Sequence, residues 1–337
     1  MNDNSVSVCA GLDYHACWTQ VCILSEDGQE LCNKRVPSEP ASIAATIARF
    51  GTPRIIAIEA CSGAATMAQQ LNEGFGFITK LSHPGYVKRM RHSPDKSDLS
   101  DARILAELGR NGFLPEVWLA PESIRELRFL VHRRSQVVQQ RRAAKVRLLA
   151  LLREMRIARP QELNTWTRPW LKWVRTEAPV SEMIQWIIGR HLDEIDQANV
   201  ELAATQRMLR TVTADDPVVS RLMGFAGIGE VTAWVLRAEI GRFSRFRDGK
   251  QLSRYCGLSP RNASSGHRVA DAGLIKAGRP LLRSVIIQAA HRLVIRNVRW
   301  KAMFDRLVAR GKHPCVAIAA VANRWVRSLH HQMAPIC

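Results

Sequence analysis

The sequence predicts an α/β domain at the amino terminus, followed by long helices and a mostly helical carboxy-terminal domain. Short strand-like stretches come first and then alternate with helix-like stretches up to residue 112. After residue 121, heptad-like spacing of apolar residues replaces this alternation. Adjacent strands followed by alternating helices and strands are typical of a mixed sheet covered by helices. A chain of 337 residues is long enough for two or three domains, which we expect at residues 1–118, 119–212 and 213–337.

The elements of the first domain follow from periodicity and from the turn residues between them. Strands are expected at Val6–Asp13, Trp18–Leu24, Glu30–Val36, Arg54–Ala60 and Phe77–Leu81. Helices are expected at Ala41–Phe50, Ala64–Glu73 and Lys96–Asn111. The fourth strand is predicted to be buried, because its apolar run is short and β-branched and lies between Pro53 and a Ser-Gly pair.

Two apolar series with heptad-like spacing fill the middle of the chain. The first runs from Leu127 to Met155 and admits Arg134 and Arg141. The second runs from Ile188 to Leu209 and admits Asn199 and Gln206. Such series predict two long helices of a coiled coil. The two helices either pair antiparallel within one chain or join two chains.

The charge of the chain is strongly basic and unevenly distributed. Lys and Arg number 49 against 30 Asp and Glu, a formal net charge of +19. Residues 80–175 carry +12 and residues 237–337 carry +16, whereas residues 1–79 carry −4 and residues 176–236 carry −5. Basic segments that displace condensed counterions predict a nucleic-acid partner. An anionic membrane surface is less favoured, because the sequence has no basic amphipathic anchor.

Several protein classes are excluded at this stage. No apolar run approaches the ~20 residues that span a bilayer, and the first residues do not resemble a signal peptide. The eight cysteines include no C-x-x-C pair, so we expect reduced thiols and neither a zinc site nor a disulfide framework. A membrane protein, a secreted mini-protein and a fibre are therefore excluded. We expect a cytoplasmic protein associated with the nucleoid.

Four carboxylates are the candidate metal ligands. Asp13 ends the first predicted strand, and Glu59 ends the fourth. If these strands are parallel neighbours, their ends adjoin, and a helix across them delivers Asp98 and Asp101, which share a face at i and i+3. Clustered carboxylates need cations, and two Mg²⁺ ions suit an in-line phosphoryl displacement. The alternative is a turn residue at Asp13 and a solvated helix face at the other two aspartates.

The segment Met223–Ala233 resembles a helix–hairpin–helix pattern. In that pattern, glycines such as Gly227 and Gly229 let backbone N–H groups approach a phosphate closely. A plain tight turn between two helices is the alternative. The predicted nucleic-acid contacts here and in the basic segments are Lys96, Arg133, Arg134, Arg141, Arg142, Lys145, Gly227, Gly229, Arg268, Lys276, Arg279 and Arg283.

A second chemical candidate is the loop Gly257–Gly266, which contains Ser264 and Ser265. Cationic side chains follow it, and they could hold a phosphate against a serine hydroxyl and stabilise its developing charge. Ser-Ser-Gly is also a common linker, so the residues alone favour the linker.

Short motifs at both ends of the chain match one family in order and spacing. The amino-terminal motifs are Gly11–His15 (GLDYH), Ile58–Gly63 (IEACSG), Pro84–Lys88 (PGYVK) and Lys96–Ala102 (KSDLSDA). The carboxy-terminal motifs are Gly227–Ala233 (GIGEVTA), Gly241–Phe246 (GRFSRF), Tyr255–Pro260 (YCGLSP), Ser264–Gly266 (SSG) and Ile275–Gly278 (IKAG), with Leu282 and Arg283 after them. Together they resemble the DEDD transposases of bacterial insertion sequences, the RNA-guided bridge recombinases that include the Piv-type DNA invertases.

The resemblance implies an RNase H-like (RuvC-like) amino-terminal domain, a coiled-coil connector and a smaller carboxy-terminal transposase domain. It implies that the metal ligands are Asp13, Glu59, Asp98 and Asp101. It also implies a serine nucleophile, for which we choose Ser265, with Ser264 as the alternative. His267 and Ala263 depart from many relatives, but neither departure removes a presumed catalytic group.

The expected function is therefore Mg²⁺-dependent recombination of a mobile element through a serine–DNA ester. The resemblance further implies donor and target DNA and a structured noncoding RNA of the element as partners. Strand exchange needs two DNA partners held together, so we expect a homodimer or homotetramer. One alternative is a RuvC-like junction nuclease that uses metal-activated water, and another is a non-catalytic nucleic-acid-binding regulator.

Overall fold

A computed structural model describes residues 6–90, 97–262, 271–275 and 278–335. The chain divides into two compact units, residues 1–121 and residues 122–337. The first unit is α/β, and the second is mostly helical. None of the helices in the described ranges is both long enough and apolar enough to cross a membrane. The further division at residue 212 stays a prediction.

The first unit is built on a six-stranded sheet in the order β3-β2-β1-β4-β5-β6. The strands are β1 (Ser7–Tyr14), β2 (Trp18–Ser25), β3 (Glu30–Pro37), β4 (Thr52–Glu59), β5 (Thr79–Ser82) and β6 (Glu116–Val117). β1, β2 and β3 form an antiparallel meander, β4 joins β1 in parallel, and β5 joins β4 in parallel. The prediction of a mixed sheet is confirmed.

Helices cover both faces of this sheet. They are α1 (Pro40–Ala48), α2 (Ala64–Phe75), α3 (Pro84–Met90) and α4 (Asp98–Arg110). On one face, apolar residues of α1 and α2 pack on Val8, Ala10 and Leu12 of β1. On the other face, Ala102 and Ala106 of α4 pack on the sheet. Because side chains alternate along a strand, Cys9, Gly11 and Asp13 face α4.

The second unit contains two long helices and a cluster of shorter ones. The helices are α5 (Glu122–Glu154), α6 (Arg168–Thr176), α7 (Glu182–Val212), α8 (Pro217–Met223), α9 (Glu230–Ile240), α10 (Gly249–Tyr255), α11 (Pro280–Arg296), α12 (Val298–Ala309) and α13 (Pro314–Met333). A two-stranded hairpin joins β7 (Pro260–Asn262) to β8 (Asp271–Leu274). The core of α8–α13 also takes in the amino-terminal half of α5 through Leu127 and Val131.

The two long helices lie antiparallel within the chain. Leu148 of α5 packs with Ile188 and Leu192 of α7, and Val137 packs with Leu202. Of the two pairings that the sequence left open, the structure has the one within the chain, and a coiled coil stays a prediction. The buried residues of α7 include Ala198 and Thr205. The predicted series was wrong at these two positions, because it placed Asn199 and Gln206 on the buried side instead.

A candidate metal centre at the carboxyl ends of β1 and β4

Two of the four predicted acids lie at the same end of the sheet because their strands run in parallel. Leu12 of β1 pairs with Ile58 of β4, so Asp13 and Glu59 follow at the same end of the sheet. Both acids occupy strand positions that face α4. Asp13 lies two residues after Gly11, whose missing Cβ would point at α4, and Glu59 lies two residues after Ala57, which packs with Leu105 of α4. Asp13 retains 19% of its side-chain exposure. The structure therefore has the parallel arrangement on which the prediction depended.

A glycine on β1 allows α4 to lie directly against the sheet. A Cβ atom added at Gly11 would come 2.0 Å from the carbonyl oxygen of Ala102 and 2.3 Å from the amide nitrogen of Ala106. Both atoms belong to the backbone of α4 and cannot move aside alone. Any larger residue at Gly11 would therefore push the helix away from the strand.

The close approach of α4 brings its first turn to the strand ends. The helix begins after Ser97, whose hydroxyl accepts a hydrogen bond from the amide of Ser100, in a capping box. Asp98 and Asp101 lie in this first turn. A helix start stabilises carboxylates through its dipole, so two acids are tolerated there. Asp101 is 4% exposed, which makes it the most buried of the three aspartates.

A histidine absent from the predicted site joins two of the acids. His15 Nε2 lies 3.4 Å from Asp13 Oδ2 and 3.9 Å from Asp98 Oδ1. The His15 ring packs on Trp18 with centroids 4.0 Å apart. Candidate ligand atoms of Asp13, His15 and Asp98 all lie within 4.8 Å of one another. The sequence signal for His15 was its position two residues after Asp13, within the Gly11–His15 motif.

Burial and like charge act together on Asp13. Burial raises the pKa of Asp13, the neighbouring His15 opposes this, and the charges of Asp101 and Asp98 raise the pKa further. The pKa of the Cys61 thiol is also raised, first by burial and then by the charges of Glu59 and Asp13. All four predicted acids thus lie at one end of the sheet.

This donor set fits a divalent cation. Carboxylate oxygens are the ligands of hard cations such as Mg²⁺, and an imidazole nitrogen suits transition metals better. Burial is the main cause of the raised pKa of Asp13, and a bound cation would relieve the repulsion from Asp101 and Asp98 that adds to it. Arg35 contacts one of the acids, with Nη2 2.9 Å from Asp98 Oδ2. Asp13, His15 and Asp98 form a possible metal site, and Glu59 and Asp101 lie at the same end of the sheet.

Predicted nucleic-acid contacts on α5 are engaged with α7. Arg133 Nε donates to Glu201 Oε1 at 2.6 Å, and Arg141 Nη1 donates to Asn199 Oδ1 at 2.9 Å. These contacts hold the helix pair together and fix the direction of both guanidinium groups.

The other three cations of this group differ in exposure. Arg134 is half-buried, and burial followed by the charge of Arg141 lowers its pKa. Lys145 lies over the ring of Trp166, with Nζ 4.4 Å from the centroid. Arg142 is exposed. Helix α5 therefore offers a basic surface only in part.

The glycine pair lies between α8 and α9. Gly227 has φ = +84°, and a Cβ there would come 2.9 Å from Leu293 Cγ, so conformation and packing both require glycine. Gly229 is the N-cap of α9, and a Cβ there would meet nothing within 4 Å. The packing on Leu293 explains why residue 227 is a glycine without any bound phosphate. This favours the tight-turn alternative at Gly227.

The predicted residues of the serine loop fall largely outside the described ranges. Ser264, Ser265, Arg268 and Lys276, together with Lys96 of the first unit, lie there. Arg279 is described and forms an ion pair with Glu239, with Nε 3.0 Å from Oε2. Arg283 is half-buried, and its Nη1 would lie 2.7 Å from a Cβ at Gly257.

Two family models match the chain. A model for DEDD transposases of the IS110 type, described as "Transposase", matches residues 10–157. A second, described as "Transposase IS116/IS110/IS902 family", matches residues 219–305. The first match includes the four acids, and the second includes the segment that contains Ser264 and Ser265.

Curated relatives are similar over most of their length. A "Probable family 20 transposase" of Pseudomonas aeruginosa is 28% identical, covering 82% of this chain and 83% of that protein. The "Transposase for insertion sequence element IS1328" of Yersinia enterocolitica is 26% identical, covering 82% of each chain. The "Transposase for insertion sequence element IS1111A" of Coxiella burnetii is 26% identical, covering 89% of this chain and 83% of that protein.

Proposed function

The chain belongs to the DEDD transposases of insertion sequences, and we propose that it cuts and exchanges DNA strands to excise and insert a mobile element. The observation that carries this proposal is the convergence of Asp13 and Glu59 with the first turn of α4. Carboxylates gathered in this way hold cations for phosphoryl transfer. The central position of β1 and its parallel pairing with β4 support an RNase H-like (RuvC-like) fold for this unit.

The cations in this proposal are two Mg²⁺ ions. When bound, they supply positive charge beside the entering and leaving oxygens of the displacement. The ligands are Asp13, Glu59, Asp98 and Asp101, whose oxygens suit Mg²⁺. Before binding, His15 holds the carboxylates of Asp13 and Asp98 close together, and Arg35 contacts the other carboxylate oxygen of Asp98.

The nucleophile in this proposal is the hydroxyl of Ser265, with Ser264 as the alternative. Its Oγ forms a bond to a DNA phosphorus, and the bond from that phosphorus to the oxygen of the leaving strand breaks. The serine loses a proton, and the departing oxygen gains one. The resulting ester conserves the energy of the phosphodiester, so a second strand can be joined without ATP.

The partners are donor DNA, target DNA and a structured noncoding RNA of the element. The net charges of +12 in residues 80–175 and +16 in residues 237–337 support recognition of nucleic-acid backbones. We place the protein in the cytoplasm at the nucleoid, as a homodimer or homotetramer. In this arrangement residues 119–212 form a coiled-coil connector, and residues 213–337 form the transposase domain.

A covalent-adduct assay tests the proposal. Purified protein is mixed with Mg²⁺, element-end DNA and RNA transcribed from the element, and protein-linked DNA and exchanged strands are measured. Ser265→Ala should abolish both products, and Ser264→Ala serves as the matched control that retains them. The assignment of Ser265 is wrong if its alanine variant still forms adducts. Cleavage that needs Asp13 but neither serine indicates the junction nuclease, and full activity of Asp13→Ala indicates the regulator.

A further inference from the structure

A cavity of about 870 Å³ lies between α10, the β7–β8 hairpin and α13. Its volume falls within the range of about 300–1,000 Å³ that is typical of ligand sites. The cavity is formed entirely by the second unit, and the described residues that line it include none of the predicted nucleic-acid contacts. It therefore needs an explanation of its own.

Most of the cavity wall is aliphatic. Leu258 is fully buried at this wall, whereas Val316, in the first turn of α13, retains 54% of its exposure. Apolar surface that stays in contact with water is unfavourable, so a ligand with apolar faces would be bound here. The apolar side chains of the wall are Leu258, Pro260, Leu274, Val316, Ala319 and Ala320.

Asn323 is a polar side chain of the wall whose orientation is fixed. Its Nδ2 donates to Ser253 Oγ at 2.7 Å and to the carbonyl of Leu258 at 3.0 Å. Both hydrogens of the amide are therefore used within the protein, and the remaining atom, Oδ1, is an acceptor. A ligand with N–H groups along one edge can donate to it.

The charged side chains of the wall are all cationic. They are Lys250, Arg324 and Arg327, and no described residue of the wall is acidic. Lys250 also lies near Asp248, the N-cap of α10, so its charge is partly offset. Arg324 Nη1 contacts Met303 Sδ at 3.9 Å, and a thioether does not neutralise a guanidinium. The cavity therefore presents positive charge beside its apolar surface.

A smaller hollow of about 420 Å³ shares Arg324 with the cavity. Its wall also includes Arg299 and Arg306 of α12, and none of its described residues is acidic. Arg299 Cζ lies 5.1 Å from the ring centroid of Trp300, which lines the same hollow. Guanidinium groups present planar forks of N–H donors that match phosphate oxygens. The hollow thus continues the positive charge away from the cavity.

These features match a nucleotide that has left the base stack. The base of such a nucleotide packs its faces on apolar or aromatic side chains, and its edge carries N–H donors. The faces fit the aliphatic wall, the edge fits Oδ1 of Asn323, and the phosphates fit Arg324 and the smaller hollow. An apolar protein segment would fit the aliphatic wall alone and would not account for the arginines.

We propose that the cavity binds one unstacked nucleotide of a DNA strand, with its base against Leu258 and Ala319 and its phosphate on Arg324. The inference rests on the proposed function, which supplies DNA as the substrate. The segment that joins β7 to β8 contains Ser264 and Ser265, so a strand held at this hairpin is the one that the proposed nucleophile attacks, which is DNA. Holding one nucleotide out of the stack fixes the register of that strand.

The test uses duplex DNA of the element end in which single bases are replaced by 2-aminopurine, whose fluorescence increases when the base leaves the stack. The full chain and RNA transcribed from the element are added to each DNA without Mg²⁺, so that no strand is cut. The fluorescence should rise several-fold at one position and stay constant at its neighbours. The same label placed in the RNA forms the second arm.

Filling the cavity should abolish the rise. Ala319→Phe places a ring where the base would lie, so the rise should be lost. Affinity for the DNA should fall by less than roughly tenfold, because the variant also avoids the cost of unstacking. Ala309→Phe is the matched control, since Ala309 is exposed at the end of α12 and lies outside the cavity, and it should keep the rise.

A second variant guards against a folding defect in the first. Val316→Glu changes a side chain that is already 54% exposed, and its carboxylate would repel the phosphates of the strand. It should also lose the rise. Val212→Glu on α7 is the matched control at 51% exposure, and it should keep the rise. Thermal unfolding shows which of the four variants are folded.

The outcomes distinguish this inference from the proposed function. Loss of the rise in both cavity variants and its retention in both controls supports the nucleotide site. Retention of the rise in folded cavity variants overturns it, and an accompanying change of their oligomeric state assigns the cavity to a second copy of the chain. A rise found only in labelled RNA overturns the assignment to DNA.

Two results with the unaltered protein complete the test. The absence of any rise, with normal formation of protein-linked DNA once Mg²⁺ is added, overturns the nucleotide site alone. Failure to bind or cut the DNA under any condition overturns the proposed function and this inference with it.

Discussion

The acids of the first unit and Glu239 of the second have opposite kinds of neighbours. In the first, Asp13 and Asp98 lie close together, and the charges of Asp98 and Asp101 contribute to the raised pKa of Asp13. In the second, the buried carboxylate of Glu239 lies 2.6 Å from His132 Nε2 and 3.0 Å from Arg279 Nε, so its neighbours are nitrogen groups of its own unit. Removing a partner from a buried acid destabilises the fold, whereas acids that repel one another are stabilised by a bound cation. The comparison teaches that the neighbours of a buried acid, more than its burial, indicate whether it contributes to folding or to binding.

Removal of one metal ligand should have the largest effect. Asp13→Asn keeps the shape of the side chain and removes its charge, so cation binding weakens and strand cleavage should fall about 10³-fold, or about 4 kcal/mol in activation free energy. Without metal, the same variant should raise the melting temperature, because it relieves the repulsion among the aspartates. A variant that keeps full cleavage would show that the acids are not a catalytic centre.

The buried acid Glu239 of the second unit should matter most for folding. Glu239→Ala leaves His132 and Arg279 without their buried partner, so the free energy of unfolding should fall by about 3 kcal/mol. Glu230→Ala on the same helix is the matched control, since Glu230 pairs with Arg210 at the surface and such pairs contribute less than about 1 kcal/mol. Urea denaturation measures both, and equal losses would contradict the anchoring role of Glu239.

The close packing of α4 against Gly11 predicts a smaller loss of stability, confined to the first unit. Gly11→Ala forces a Cβ against the backbone of α4, so stability should fall by about 2 kcal/mol and the metal site should open. Gly74→Ala is the control, because a Cβ there meets nothing within 4 Å and alanine in a helix is favoured by up to about 1 kcal/mol. Thermal unfolding distinguishes them, and two changes of the same sign would refute the close approach.

Much of the first unit could be predicted from local pattern. The apolar runs that became β1 and β4 end in Asp13 and Glu59, and parallel pairing then brings the acids together without further information. The contact of α4 with Gly11 could not be predicted in the same way, because a glycine in a strand does not reveal which backbone approaches it. His15 was missed because its contact with Asp98 joins residues far apart in the chain.

The second unit was predicted less completely. Helix α6 was missed because it has only nine residues and contains a proline in its first turn. Glu239 carried the same signal as Glu59, a carboxylate in an apolar stretch (AWVLRAEI), yet its partners His132 and Arg279 come from two distant segments. Long-range pairing of this kind depends on tertiary packing, which local periodicity does not contain.

Calorimetric titration of Mg²⁺ into the full chain tests the central claim most directly, with the unaltered protein compared with Asp101→Asn. The account predicts saturable binding to the unaltered protein, with stoichiometry near two per chain, and a loss of at least one bound ion in the variant. Exposed surface acids provide the control, since Glu230→Ala should bind as the unaltered protein does. Identical titration curves for Asp101→Asn and the unaltered protein would contradict the claim that these acids form a metal centre.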